Sequence, residues 1–278
     1  MPREATQART VTVQGVEVPK LGYGTWLVEG EDAYDGVLDA LELGYRHIDT
    51  ARAYGNERWV GRALVDSAVP REEIFLTTKV WFEHAEPELL TRVFHEQLAD
   101  LHVEHVDLLL LHWPAAEVPL RETLGAMDAL RRQDLVGQIG VSNFPSELLR
   151  EALELAPIFC DQVEYHPYLP QGLVMHECLE HDLLLTAYSP FAHGDVHADE
   201  TLREIGERHG KSAGQVALRW LLDQPNVATI PKASSHERRA ENFDVFDFAL
   251  DDDERATIAA LSRRHLRTAD PEWAPDWD

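Results

Sequence analysis

The segment GYRHIDTARAYGNE, residues Gly44 to Glu57, holds the densest group of ionisable and aromatic side chains around a short apolar centre. Arg46 to Asp49 is predicted to form a brief buried strand, and Gly44 to end the helix before it. Asp49 then stands at the carboxyl end of the strand, with Tyr54 in the loop after it. Taken alone, this pair is more often a helix cap and a core tyrosine. Polar residues after the later strands favour a functional interpretation.

Strand and helix patterns alternate eight times along the chain. The strands are predicted at 21–26, 46–49, 74–80, 106–112, 138–142, 160–164, 183–188 and 227–230. Helices are predicted at 31–43, 57–67, 87–101, 120–133, 146–155, 172–181, 201–209, 213–222, 237–242 and 252–261. The apolar run Val106 to Leu111 is typical of a parallel strand buried on both faces. With a β-hairpin at 10–18, extra helices and a C-terminal tail, the pattern predicts one α/β domain over 1–278, a (β/α)₈ TIM barrel.

The composition limits the partners and the compartment. A net charge of −25 argues against nucleic acid and anionic membrane as partners. No apolar run is long enough for a membrane helix, Met1 to Arg9 lacks an apolar signal region, and there are only two cysteines. These features predict a cytoplasmic protein. Lysine occurs only at 20, 79, 211 and 232, and an acidic, lysine-poor surface predicts a halophilic protein.

A barrel of this kind collects functional side chains at the carboxyl ends of its strands. The polar and ring-bearing residues at the predicted strand ends are Asp49, Tyr54, Lys79, His112, Ser142, Asn143, Gln162, Tyr188, Ser189, Pro190, Pro231 and Lys232. His112 alone could be a core histidine, and Lys79 alone could extend its ammonium to solvent past an apolar stem. Their convergence on one barrel mouth favours a shared chemical role.

That role is the donation of a proton to a carbonyl oxygen. Tyrosine is a weak acid with a pKa of about 10, and a nearby ammonium lowers that pKa. Lys79 can supply the ammonium, Asp49 can hold it, and His112 can orient the substrate oxygen. Tyr54 then acts as the acid. Because no side chain donates hydride, a nicotinamide or a flavin is implied.

The sequence resembles the aldo-keto reductases over nearly its whole length. The matching motifs are Gly44–Glu57, Thr77–Trp81, His112–Pro114, Gly140–Phe144, Gln162–Pro167, Ala187–Pro190 and Ile230–Ser234 with Arg238, Glu241 and Asn242. The resemblance implies the catalytic residues Asp49, Tyr54, Lys79 and His112, with NADPH as cofactor and NADH weaker. Ala233 stands where many members have serine.

The resemblance also assigns the cofactor contacts. It implies that Ser142, Asn143 and Gln162 hold the nicotinamide carboxamide and that Tyr188 stacks on the ring. Lys232, Ser234, Arg238 and Asn242 hold the adenosine end and its 2′-phosphate. The full predicted set of cofactor residues is Thr25, Trp26, Ser142, Asn143, Gln162, Tyr188, Ser189, Pro190, Ile230, Pro231, Lys232, Ala233, Ser234, Arg238, Glu241 and Asn242.

Aromatic residues are predicted to shape the substrate end of the mouth. Trp26, Trp81 and Trp113 form the walls beside His112, and the tail with Trp273 and Trp277 is predicted to fold back over the mouth. The pairs His102 with His105 and His193 with His197 have helical spacing but no third ligand, so we predict no metal.

The sequence thus favours a monomeric NADPH-dependent reductase of aldehydes or ketones, with sugar and keto-acid carbonyls among the candidate substrates. Two alternatives stay open. Lys79 could form a Schiff base as an aldolase does, or the chain could be an NADPH-bound redox sensor without turnover.

Overall fold

The computed structural model describes residues 9–278. The prediction that Met1 to Arg9 lacks an apolar signal region falls almost entirely on residues 1–8, which lie outside the described part. Within it, no helix is both long enough and apolar enough to cross a membrane.

The order of the elements follows the alternation seen in the sequence. The strands are β1 Thr10–Val13, β2 Val16–Pro19, β3 Tyr23–Gly24, β4 His47–Asp49, β5 Phe75–Val80, β6 Val106–Leu111, β7 Val136–Ser142, β8 Ile158–Glu164, β9 Leu184–Tyr188 and β10 Val227–Thr229. The helices are α1 Gly30–Leu43, α2 Glu57–Asp66, α3 Pro87–Leu101, α4 Leu120–Arg131, α5 Ser146–Leu155, α6 Gly172–Glu180, α7 Asp195–Ala198, α8 Glu200–His209, α9 Ala213–Leu222, α10 His236–Phe243 and α11 Asp252–Ala259.

The strands β3 to β10 form one parallel sheet in chain order, which curls into a barrel. The first and last strands meet where Leu21 bridges Thr229, and the backbone N–H of Gly22 donates to the Thr229 carbonyl at 2.8 Å. The predicted TIM-barrel fold with an N-terminal hairpin is confirmed. The assignment of the whole chain to one domain stays a prediction.

Two glycines permit this closure. A Cβ on Gly24 would lie 2.6 Å from the Ile230 carbonyl oxygen, and one on Gly22 would lie 2.9 Å from the Ile230 side chain. The close approach leaves room only for hydrogen. The strand β3 is only Tyr23–Gly24, shorter than the predicted 21–26.

The N-terminal hairpin covers one end of the barrel. Val13 and Val18 are fully buried there and pack in one cluster with Leu108 and Phe159. Because the hairpin covers the amino ends of the strands, the carboxyl ends form the accessible mouth.

Most element boundaries agree with the sequence predictions within two residues. Gly44 ends α1 in the left-handed conformation, with φ 108°, and its N–H donates to the carbonyls of Ala40 and Leu41. The short helix α7 and the 3₁₀ turns, such as Arg52–Tyr54, were not predicted.

Candidate active site

A buried lysine joins the two residues singled out in the opening segment. Lys79 Nζ lies 2.5 Å from Asp49 Oδ1 and donates to the Tyr54 hydroxyl at 3.2 Å. Its third contact is the Thr50 carbonyl, at 2.9 Å. Lys79 is fully buried and Asp49 is 1% exposed. The three protons of the ammonium are therefore all used.

The register of the sheet produces this arrangement. Asp49 lies beside Thr77 across β4 and β5, so Lys79, two residues further along β5, faces the same side one step nearer the mouth. From across the barrel, Gln162 Nε2 donates to Asp49 Oδ2 at 2.8 Å. Both carboxylate oxygens of Asp49 are thereby fixed.

The pKa directions separate two effects that act on the phenol. Burial raises the pKa of Tyr54 and Lys79 opposes it, so the Tyr54 pKa lies above its ordinary value. The prediction of a net lowered tyrosine pKa is therefore wrong, because burial outweighs the ammonium. Burial alone would lower the pKa of Lys79, but Asp49 and Tyr54 raise it, so the amine stays protonated.

His112 follows β6 directly and is nearly buried beside Tyr54. The two rings are 5.6 Å apart at 76°, and Trp81 packs edge-on to the imidazole at 5.3 Å. Burial, reinforced by Lys79, holds the pKa of His112 well below its ordinary value, so the ring is neutral. Its Nδ1 has no hydrogen-bond partner among residues 9–278. A neutral ring can carry its proton on Nε2 and donate it to a bound oxygen.

The predicted carboxamide residues form a connected group at the ends of β7, β8 and β9. Ser142 Oγ donates to the Gln162 carbonyl at 2.8 Å, and Asn143 Nδ2 donates to the His112 carbonyl at 2.9 Å. The Tyr188 hydroxyl donates to Asn143 Oδ1 at 2.6 Å. Asn143 and Ser189 have positive φ angles of 64° and 50°, a strain that protein structures concentrate at functional sites.

The predicted phosphate residues lie around the start of α10. Ser235 caps this helix by accepting from the Arg238 N–H. The side chains of Lys232 and Arg238 are exposed, and neither forms an ion pair within the described part of the chain. Lys232 Nζ donates to Ser234 Oγ at 2.8 Å. Two available cations at a helix N-terminus fit a phosphate group.

The other predicted cofactor residues differ in burial and in the hydrogen bonds that they form. Thr25 is buried, and its N–H and hydroxyl both donate to the Asp49 carbonyl at 3.0 Å. The Pro231 carbonyl accepts from Gly24, and the Ala233 carbonyl accepts from Tyr23 and Arg239. The remaining members are Ile230, Pro190 and Asn242, which are buried, and Glu241, which is exposed.

The tryptophans predicted to line the substrate end are not all in contact. Trp81 contacts His112, and Trp113 is 7% exposed. Trp26 is 44% exposed and stacks on His193 instead of on either of them. Trp26 therefore packs against a residue just before α7 and not against the other two tryptophans.

The tail returns to the mouth as predicted. The ring centres of Trp273 and Trp81 are 6.2 Å apart, and those of Trp277 and Trp113 are 6.1 Å apart. Trp277 Nε1 also donates to Asp270 Oδ1 at 2.8 Å. The tail thus adds two aromatic rings to those supplied by the barrel.

The residue that anchors this tail was not found by sequence reasoning. Glu164, at the end of β8, is fully buried and accepts from the N–H groups of Thr268 and Ala269, both at 2.8 Å, and from the Thr268 hydroxyl at 2.6 Å. His166 Nε2 donates to it at 2.9 Å. Burial alone would raise the pKa of Glu164, but these hydrogen bonds lower it. The signal available in the sequence was the position of Glu164, two residues after Gln162 on a predicted parallel strand.

A second buried network supports the backbone of Lys79. Gln97 Nε2 donates to the Lys79 carbonyl at 3.2 Å and to Glu57 Oε1 at 2.8 Å. The Thr78 hydroxyl donates to the same Glu57 oxygen at 2.6 Å. Helices α2 and α3 thereby fix β5 from outside the barrel.

The histidine pairs do not share a helical face, contrary to the spacing argument. His102 ends α3 with φ 53°, and His105 lies in the following loop. His193 has φ 53° before α7, whereas His197 lies within it. Among the described residues, no group of three or more His, Cys, Asp or Glu is arranged to hold a metal ion.

Comparison with known proteins identifies the family. The model of the aldo/keto reductase family matches residues 20–263. Glyoxal reductase of Bacillus subtilis is 40% identical over 252 residues, which cover 90% of this chain and 91% of the relative. Methylglyoxal reductase DkgA of Escherichia coli is 36% identical over 265 residues, covering 93% and 94%. The crystal structure of a proposed 2,5-diketo-D-gluconic acid reductase B superposes with a TM-score of 0.96 at 43% identity, covering 98% of each chain.

The chain therefore belongs to the aldo/keto reductase family. It is an oxidoreductase that acts on carbonyl compounds, and members of this family use nicotinamide cofactors.

Proposed function

We propose that the protein reduces aldehydes and ketones with NADPH, and that Tyr54 donates the proton. The observation that carries the proposal is the chain of contacts from buried Asp49 through buried Lys79 Nζ to the hydroxyl of the partly buried Tyr54. The bound cofactor would supply hydride to the carbonyl carbon.

The two opposing effects on Tyr54 suit a proton donor. Burial keeps the phenol protonated at neutral pH, and the Lys79 ammonium stabilises the phenolate that remains after transfer. Asp49 holds the ammonium at 2.5 Å and Gln162 holds Asp49. Neutral His112 orients the carbonyl oxygen by donating a hydrogen bond. The proton therefore moves from Tyr54 Oη to the substrate oxygen.

The described residues fit a dinucleotide phosphate. Lys232 and Arg238 would hold the 2′-phosphate at the start of α10, because both cations are exposed and outside the ion pairs of residues 9–278. Asn143, Ser142 and Gln162 would hold the carboxamide, and Tyr188 would support the nicotinamide. This set favours NADPH over NADH.

The substrate end suits small carbonyl compounds. The relatives named as reductases of glyoxal and methylglyoxal support short dicarbonyls as substrates. Trp81, Trp113 and the half-exposed tail residue Trp273 would give the substrate end planar apolar walls.

The aldolase alternative is disfavoured by the state of Lys79. A Schiff base requires a neutral amine, whereas the Lys79 ammonium donates to three oxygens and has a raised pKa. No contact in the site favours a sensor without turnover.

Cytoplasmic location in a salt-rich cell and a monomeric state complete the proposal, on the strength of the acidic composition.

A panel of dicarbonyls, aromatic aldehydes, ketones and keto acids, followed by NADPH absorbance in molar salt, tests the proposal. We expect NADPH to be oxidised in the presence of several of these carbonyl compounds. Tight NADPH binding without oxidation would instead support the sensor, and borohydride trapping of a carbonyl on Lys79 would support the aldolase.

A further inference from the structure

The C-terminal tail carries a cation, Arg267, that has no ion-pair partner in the described part of the chain. The guanidinium carbon of Arg267 lies 3.7 Å above the centre of the Trp277 ring. Its Nη1 is buried and has no hydrogen-bond partner among residues 9–278, and no carboxylate of that part of the chain lies within ion-pair distance of the side chain. In a chain of net charge −25, a partly buried arginine that no carboxylate of residues 9–278 neutralises requires an explanation.

The acidic groups around Arg267 are already engaged elsewhere. The charges of Glu164, Tyr188, Asp270 and Asp278 all influence the Arg267 pKa, which burial lowers. Glu164 accepts from the tail backbone, and Asp270 accepts from the Trp277 indole. The Asp278 carboxylate accepts from the N–H and the hydroxyl of Ser146 at the start of α5.

The surroundings place Arg267 beside the mouth. Its stacking partner Trp277 packs on Trp113, which follows His112 in the chain. The next residue, Thr268, is held by Glu164, and Glu164 lies in register with Tyr188 across β8 and β9. The guanidinium therefore lies against Trp277, close enough to Glu164 and Tyr188 at the ends of these two strands for both to influence its pKa.

We propose that Arg267, supported by the face of Trp277, binds the carboxylate of an anionic carbonyl substrate, such as a keto acid or an aldehyde that carries an acid group. A guanidinium presents paired N–H donors that match a carboxylate, and the aromatic plate keeps them in one plane. The inference rests on the proposed carbonyl reduction and narrows its substrate class. The net negative charge repels such substrates at long range, so a local cation has to supply the attraction.

A matched pair of aldehydes tests the inference: 4-formylbenzoate, which carries a carboxylate, and its neutral methyl ester. Rates are measured by NADPH absorbance at fixed salt. The wild-type protein should have the higher kcat/KM for the acid. Arg267→Met keeps an apolar stem against Trp277, and it should lower kcat/KM for the acid by about 10- to 100-fold through KM, the effect of one charge-assisted contact. The ester should change by less than about two-fold, because it makes no such contact.

Arg263→Met is the control, because Arg263 is an exposed residue of the same segment. It removes the same charge and should leave the acid-to-ester ratio unchanged. Arg267→Lys keeps the charge without the planar fork and should retain part of the preference. This second variant also serves if the methionine variant fails to fold.

The outcomes separate the two proposals. If the protein reduces neither of the two aldehydes nor any other carbonyl compound, the proposed reductase activity itself is overturned. Reduction of both aldehydes with a wild-type preference for the ester, or an unchanged ratio in Arg267→Met, would overturn only the assignment to Arg267. Equal losses for acid and ester with weaker NADPH binding would place the guanidinium on a cofactor phosphate and overturn it as well.

Discussion

Replacing Glu164 by glutamine should release the C-terminal tail from the barrel mouth. The substitution keeps the size of the side chain but removes its charge, and it places an NH₂ group where an acceptor is needed. Glu164 now accepts from two tail N–H groups, the Thr268 hydroxyl and His166. Hydrogen bonds to a charged group each contribute about 1.5–3 kcal/mol, so the loss of two of them should cost at least ~3 kcal/mol of tail docking.

Such a loss shifts the docked-to-undocked ratio of the tail by roughly two orders of magnitude, since each 1.4 kcal/mol is about tenfold. Hydrogen exchange followed by mass spectrometry should show faster exchange over 266–278. The KM for bulky carbonyls should rise as Trp273 and Trp277 leave the mouth. NADPH affinity should stay nearly constant, because none of the proposed cofactor contacts comes from the tail.

The same contacts fix the direction of the pH dependence. The folded pKa of Glu164 is lowered, so the stabilisation is fully present above the unfolded value of about 4.3 and is lost as pH falls through the folded pKa. Glu151→Gln, at an exposed position of α5, is the charge-matched control. Unchanged tail exchange and unchanged KM in Glu164→Gln would refute the anchoring role.

Three further predictions concern the acid, the cofactor and salt. The rate of carbonyl reduction should stay level through neutral pH and fall only above the ordinary tyrosine pKa of about 10, as the phenol loses its proton. Lys79→Met should lower the plateau rate and move this fall to higher pH. A fall in rate near pH 7 would contradict the argument that burial raises the Tyr54 pKa. Replacing Lys232 and Arg238 together by glutamine should raise KM for NADPH and leave KM for NADH nearly constant, whereas equal weakening would make both cations structural. The melting temperature should rise from dilute buffer to molar potassium chloride, where the Debye length is about 3 Å, and equal values would argue against a halophilic protein.

The sequence was most informative where a local pattern is imposed by the barrel. The apolar run of β6 and the glycine at 44 predicted a parallel strand and a helix end, and both are present. Asp49 and Lys79 could be placed together because the carboxyl ends of parallel strands converge. The prediction of their ion pair did not depend on the conformation of any loop.

The remaining features depend on the balance of opposing effects or on contacts between residues far apart in the sequence. The direction of the Tyr54 pKa shift follows from burial against the Lys79 charge, and burial cannot be read from a tyrosine in a loop. Glu164 finds its tail partner Thr268 104 residues later in the chain. The Arg267 guanidinium became notable only once the three nearby acids were seen to be engaged elsewhere.

The central claim is that the Tyr54 hydroxyl supplies the proton, and Tyr54→Phe tests it most directly. The measurement is single-turnover oxidation of bound NADPH under saturating carbonyl, with NADPH binding measured separately. The change removes one hydroxyl and keeps the ring. Binding of NADPH should persist, and the rate should fall by ~10²–10⁴-fold, the range for a lost general acid. A rate within a few-fold of the wild-type value, with NADPH still bound, would remove Tyr54 from the mechanism and leave His112 as the next acid to test.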